Sequence, residues 1–345
     1  MKKKVVTNII FVLSVVVMFL FMQKIFTASN SLTEHAEMMM DGYYNEKENT
    51  VDAVVIGNSH IYRYWQGAFG WEQHGIAGLS LSTSDMPCNV FRNVGVEALK
   101  TQTPKVLVFD ALAFADNHDL ENNKIYYLTS NMKFSSNYLD TIKTYCDTVG
   151  IEGWDRLQYY FPVIQFHSRW KALKKRDILK MKESYLNSCY EKKFLTRTIE
   201  KEEVVDTDIR VPIHEGREAS LRELLEWCQK QDVQIEFIAV PTLLSEKRKG
   251  MINYVGDIVE EYGITFIDYN DKALFDSFGF VVEEDFQDVN HTNVVGSYKF
   301  CDVYGQHLID TYDLPDRRED ESYTSWETRS DEYFEVIQEI IEKNK

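Results

Sequence analysis

What the chain is short of narrows its chemistry first. Cysteine is scarce: Cys88, Cys146, Cys189, Cys228 and Cys301 are scattered and odd in number. No two form a CxxC pair, so zinc-type spacing is missing, and any disulfide pairing leaves one thiol over. Small buried apolar side chains are the simpler reading of these thiols. Positive charge is short as well. Lys and Arg number 38 against 55 Asp and Glu, a formal net charge of −17, which disfavours nucleic acid because a phosphate backbone selects clustered cations. No GxGxxG or GxxxxGK[ST] follows an apolar run, which argues against a nucleotide binder of the flavodoxin-like kind. Low-complexity sequence is absent too. The 44% hydrophobic content over 345 residues is ample for a buried core in one large α/β domain or two ordinary ones.

One apolar run stands apart. Residues 5–22 (VVTNIIFVLSVVVMFLFM) carry no charge and follow Lys2-Lys3-Lys4. Such a run can cross a hydrocarbon core of about 30 Å as a helix, and the basic flank 1–4 predicts a cytoplasmic N-terminus with an extracellular body. A cleaved signal peptide is the rival, with a small-residue site at Thr27-Ala28-Ser29. The run exceeds a usual signal core, which favours an uncleaved transmembrane anchor. Residues 23–50 then read as a linker helix and polar connection, with Ser31 or Thr33 able to cap it. Met38, Met39, Met40, Tyr43 and Tyr44 suit packing under the following domain better than a place at the membrane interface.

From 51 to 312 the rhythm is strand and helix. The runs at 51–57 and 105–110 are short buried-strand patterns, and 88–100 between them has helical periodicity, which implies a right-handed parallel crossover. Two glycines three apart, Gly75 and Gly78, suggest a strand end with a close backbone approach. Residues 118–215 break the rhythm with Asn and Asp clusters and many aromatics, and read as a largely helical insertion. Its patch Lys171, Lys174, Lys175, Arg176 and Lys180 reads as a solvated helix face, with an anionic polymer as the alternative partner. The rhythm resumes with a helix at 217–231, a strand at 233–240, a helix at 243–262, a strand at 264–268 and a closing helix at 293–312. The tail 313–345 reads as charged and loose to Ser330, then as an amphipathic terminal helix.

The chemistry sits at two strand ends. Val54-Val55-Ile56 stops on Gly57 and places Asn58, Ser59 and His60 directly after it, so that a tight strand-to-helix turn would present Ser59 as a nucleophile. The same Asn and Ser also suit a plain helix cap. What tips the balance is Asp288-Val289-Asn290-His291 on a later loop. An Asp three residues before a His can hold the imidazole by Nδ1 and leave Nε2 free to take the proton of Ser59. The competing view makes Asp288 and Asn293 caps and His291 a surface residue. Loops at the carboxyl ends of parallel strands are where such sheets bind ligands, which favours the site.

These blocks carry a resemblance. Gly57-Asn58-Ser59-His60 and Asp288-Val289-Asn290-His291 resemble the first and last blocks of the SGNH (GDSL-like) hydrolases, in the membrane-anchored branch similar to DltD and the alginate acetylation proteins AlgJ and AlgX. Gly75-Ile76-Ala77-Gly78 looks like the second block. The resemblance implies a three-layer α/β/α flavodoxin-like parallel sheet, catalytic Ser59, His291 and Asp288, no cofactor and no metal, and an oxyanion hole formed by the amides of Ser59 and Gly78. The third block, a GxND after the strand at 105–110, is missing. Asn117 and Asn89 are the candidates for its amide. GxSxG does not apply, because Ile61 occupies the second glycine's place.

The function implied is an exported, membrane-tethered serine esterase or O-acyltransferase acting on a cell-envelope polysaccharide or teichoic acid, with a membrane-bound O-acyltransferase as a partner. Loss of one oxyanion donor costs about 2.7 to 4 kcal/mol in a known hydrolase, so slow hydrolysis or carrier-dependent transfer fits better than a fast general esterase. The alternative is a non-catalytic assembly or binding protein that keeps the fold. Asn290-His291-Thr292 is also a formal glycosylation sequon. A glycan there would sit on the base, so the catalytic reading suits a bacterial exported setting.

Overall fold

The computed structural model describes residues 2–28, 31–116, 124–178, 198–200 and 204–343. Its centre is a parallel sheet of five strands, β1 (Ala53–Gly57), β2 (Gly78–Ser82), β3 (Val106–Asp110), β4 (Gln234–Ala239) and β5 (Thr265–Asp268), in the order β2-β1-β3-β4-β5. Every residue of β1, β2 and β3 is buried, so both faces of the sheet centre are covered, as crossover helices require. The protein is therefore an α/β protein. β2 begins where the sequence pattern suggested a strand ending. Residues Gly67–His74 form a helix, and Gly75, at φ 68°, is its left-handed cap, a conformation that a Cβ would disfavour.

The first helix, Lys2–Ile25, is apolar and long enough to cross a membrane, and its side chains between Val5 and Phe21 are exposed. Helix Ser31–Asn45 follows and lays Met39, Met40 and Tyr43 into the core. Tyr44 donates to Glu97 Oε1 at 2.6 Å. Between β3 and β4 the described part of the insertion is helical, its longest element being Ser136–Val149, capped by Ser135. The patch lysines Lys171, Lys174 and Lys175 are exposed, and Lys180 lies outside the described residues.

After β4 come helix Glu246–Glu261, β5, and a two-stranded antiparallel ribbon of β6 (Phe286–Asp288) and β7 (His291–Thr292). The closing helix Val294–Tyr312 is locked to the sheet through Glu236 of β4. That fully buried carboxylate accepts from Tyr304 Oη at 2.7 Å, His307 Nε2 at 2.8 Å and Tyr312 Oη at 2.8 Å. The stretch expected to be loose is ordered instead. Arg317 pairs with Asp52 at 2.7 Å, and Tyr323 and Trp326 are buried. The last helix, Thr324–Lys343, starts well before the expected position and packs on Gly67–His74. A few buried aromatics outweigh the charge around them, because each removes a large apolar area from water. The four described cysteines, Cys88, Cys146, Cys228 and Cys301, are buried and none is bridged to another of them, and Cys189 lies outside the described residues.

Candidate active site

β1 delivers the serine. Its last residue, Gly57, passes the end of β3 so closely that a Cβ there would stand 2.4 Å from Asp110 Cβ and 2.7 Å from Ile61 Cγ2. Only glycine fits. Asn58 then caps a one-turn helix, Ser59–Tyr62, its Oδ1 accepting from the His60 N–H at 2.9 Å. Ser59 is thus the first residue of that helix, half-buried at the carboxyl end of the sheet. The capping role considered from the sequence belongs to Asn58, and the serine hydroxyl is left for other work.

The ribbon delivers the histidine. In the β6–β7 pairing, Asp288 stands opposite His291 across a two-residue loop. The spacing of three is therefore what brings carboxylate and ring together, since residues directly opposed in an antiparallel pair have adjacent side chains. His291 Nδ1 lies 2.9 Å from Asp288 Oδ1 and 3.1 Å from Oδ2, and His291 Nε2 lies 2.9 Å from Ser59 Oγ. Asn293 caps the closing helix, accepting from Val295 and Gly296. Asp288 does not act as a cap. Partial burial of Asp288 opposes its charge. Hydrogen bonds from His291, the Asn290 N–H and the Gln287 amide, together with the charge on His291, prevail and hold the carboxyl down at about 2. The ribbon is pinned by Thr292 Oγ1 donating to Arg63 O at 3.0 Å and by Leu243 N–H donating to Val289 O at 2.9 Å.

Three neighbours went unnoticed in the sequence as site residues. Arg248, in the first turn of helix Glu246–Glu261, donates to Asn290 Oδ1 at 2.6 Å and to His60 Nε2 at 3.2 Å. That donor fixes Nε2 of His60 as the acceptor, so its proton sits on Nδ1. Burial, then the charges of Arg248 and His291, push His60 well below the ordinary imidazole range, and the ring is neutral. It stacks on His291 with centroids 5.7 Å apart. Beneath it, Asp110 Oδ1 accepts from the Leu112 N–H at 2.9 Å, while Oδ2, 3.9 Å from His60 Nδ1, has no hydrogen-bond partner. Burial drives this carboxyl up to about 7, against the pull of the Leu112, Asn58 and Ala113 amides and of Arg248. Asp110 was legible only as the end of an apolar strand. Arg248 had no local signal, since its partners lie 42 and 188 residues away.

The expected oxyanion donors fare unevenly. Gly78 pairs with Ala53 at the opposite end of β1, whereas Ser82 pairs with Gly57. Four strand positions separate Gly78 from the nucleophile level, on the order of 13 Å at the rise of a β-strand, and its N–H is spent on Ile76 O at 3.0 Å. Gly78 is therefore not at the site. The residues that follow Ser82 are Thr83 and Ser84, and Ser84 Oγ lies 2.5 Å from Tyr62 Oη on the Ser59–Tyr62 helix. Asn89 follows the carboxyl end of β2, in the 3-10 turn Cys88–Val90, and its Nδ2 and Oδ1 are both buried without a hydrogen-bond partner. Asn117 lies outside the described residues. Among the described residues no group of three His, Cys, Asp or Glu is placed to hold a metal ion.

Compared with known proteins, the chain matches no protein-family model and no curated protein.

Proposed function

We propose that this protein is a membrane-tethered serine acyl enzyme of the SGNH hydrolase superfamily, an esterase or O-acyltransferase working on a cell-envelope polysaccharide or teichoic acid. The observation that carries the reading is the continuous hydrogen-bonded relay from Ser59 Oγ through His291 to Asp288. The strand order 2-1-3-4-5 is the flavodoxin-like order of doubly wound sheets, and the relay lies where such sheets bind their ligands. The N-terminal apolar helix would be the anchor, with its basic flank in the cytoplasm and the α/β domain outside.

In this mechanism His291 Nε2 takes the proton of Ser59 as Oγ attacks the ester carbonyl, and Asp288 stabilises the imidazolium that forms. The tetrahedral oxyanion is received by the Ser59 N–H, by the Thr83–Ser84 turn that takes over the role expected of Gly78, and by the amide of Asn89, whose unpartnered buried nitrogen suits a donor awaiting charge. Collapse expels the alcohol, which takes its proton from His291. The acyl-Ser59 ester is then opened by water or by a sugar hydroxyl, with His291 again as base. The partners, polymer and membrane-bound O-acyltransferase alike, rest on the resemblance of the two motif blocks.

A fluorophosphonate probe tests the chemistry. Labelling of the wild-type chain and its loss in Ser59→Ala is the expected result. A folded wild-type chain that stays unlabelled would favour a non-catalytic assembly protein that retains the fold.

A further inference from the structure

The insertion is fastened to the N-terminal helix in a definite order. Phe161 packs on Phe19 with ring centroids 5.7 Å apart, Val163 N–H donates to Gln23 Oε1 at 3.0 Å, and Arg169 donates to the carbonyl of Thr27. As the insertion runs from 161 to 169, its partners climb the last two turns of the helix and leave its end. Phe19 precedes the end of the helix at Ile25 by six residues, which at helical rise is about 9 Å. Phe161 is thus held below the point where the apolar helix stops, and the same segment turns other apolar groups outward. Ile164 is 47% exposed and Trp170 is 62% exposed. Beside Trp170 stand three exposed lysines, Lys171, Lys174 and Lys175, the first with its Nζ 5.1 Å from the indole centroid. Arg169 is held in place by Asp177 at 2.7 Å.

We infer that residues 161–175 form an interfacial foot that rests on anionic phospholipid headgroups, with Phe161, Ile164 and Trp170 in the headgroup–acyl boundary and Lys171, Lys174 and Lys175 on the lipid phosphates. The inference rests on the proposed anchor. Depth is set by the contact with Phe19, which puts the segment at the level where amphipathic elements bury their apolar side by about 5–10 Å. Indole and lysine side chains are the groups that favour that layer. Charge gives the lipid type: an anionic surface repels the bulk of a chain of net charge −17 but attracts a lysine cluster held within a Debye length of the headgroups. An extended polymer would meet these lysines equally well in free solution, but the ties to Gln23 and Thr27 hold them against the bilayer. The consequence is orientation, because a single helix leaves a domain free to swivel and a second contact does not.

The full-length chain in proteoliposomes of phosphatidylcholine and phosphatidylglycerol tests this. Lipids carrying a doxyl quencher near the headgroup should quench a component of the tryptophan emission that is lost in Trp170→Phe. The same quencher at the acyl terminus should act less. Replacing Lys171, Lys174 and Lys175 by Gln should remove the dependence of that quenching on phosphatidylglycerol. Trp170 emission quenched only by aqueous iodide, in vesicles that retain the chain through an alkaline wash, would overturn the foot while leaving the anchor standing, and would leave a protein partner as the cover of this face. Release of the chain by the wash would overturn anchor and foot together.

Discussion

Two buried carboxylates on adjacent strands, Asp110 of β3 and Glu236 of β4, meet opposite fates. Glu236 is saturated: two tyrosine hydroxyls and the His307 ring, all from the closing helix, converge on it. Asp110 sits at the strand's carboxyl end with one oxygen unpartnered and is pushed up to about 7 by burial. Burial alone therefore does not mark a functional acid. A carboxylate with donors on both oxygens is a fastener, and one with an oxygen left short of a donor and its value raised by burial keeps a protonation equilibrium open near neutral pH.

The contrast can be pressed by substitution. The largest effect is expected beside Asp110, in the relay itself. Asp288→Asn should leave the fold intact and lower the rate of fluorophosphonate labelling by roughly three to four orders of magnitude, because the His291 ring loses the acceptor that fixes its tautomer. Labelling close to the wild-type rate would remove Asp288 from the mechanism. Next, Glu236→Gln should cost on the order of 2–4 kcal/mol in urea unfolding, since an amide nitrogen then faces hydroxyl and ring donors in a buried site. Labelling per folded molecule should not change.

The last effect is a slope, read as a pH dependence rather than at a single condition. Asp110 has its folded value raised from 3.8 to about 7, so the folded state holds a proton that the unfolded chain releases. Its contribution to stability is full below 3.8, declines as pH rises and is lost through about 7. Asp110→Asn should flatten that part of the stability–pH curve, a change on the order of a few kcal/mol across the window, measured by urea midpoints at the acidic and neutral ends of that window. An unchanged slope would mean that Asp110 is ionised throughout. Asp288 has the reverse sign, because its folded value is lowered to about 2. It adds stability that is present above 3.8 and fades as pH falls through about 2.

Much of this was readable from residue order, and the failures have physical causes. The nucleophile turn and the DxxH loop were legible because each is complete within four residues and needs only a strand end or a tight hairpin to work. The strands β1, β3, β4 and β5 announced themselves as short apolar runs. β2, Gly-Leu-Ser-Leu-Ser, did not, because three of its five residues are small, and the spacing of Gly75 and Gly78 suits a strand end whereas Gly75 is a helix cap and Gly78 opens the strand. That error carried Gly78 to the wrong end of the sheet. The tail was misjudged for a related reason: composition counts its charges, whereas Tyr323 and Trp326 decide its order by where they are buried. Arg248 and the pairing of Glu236 depend on contacts between distant segments, which no local pattern encodes.

The serine and its base are 232 residues apart in the chain, and this separation has a meaning in time. A ribosome makes Ser59 early and His291 among the last residues of the domain. For most of its synthesis the chain carries Ser59 without the imidazole that faces it in the fold. Only when the β6–β7 ribbon lies against the Ser59 turn does the hydroxyl meet His291 Nε2. Formation of the relay is then a report that the two ends of the α/β core have come together.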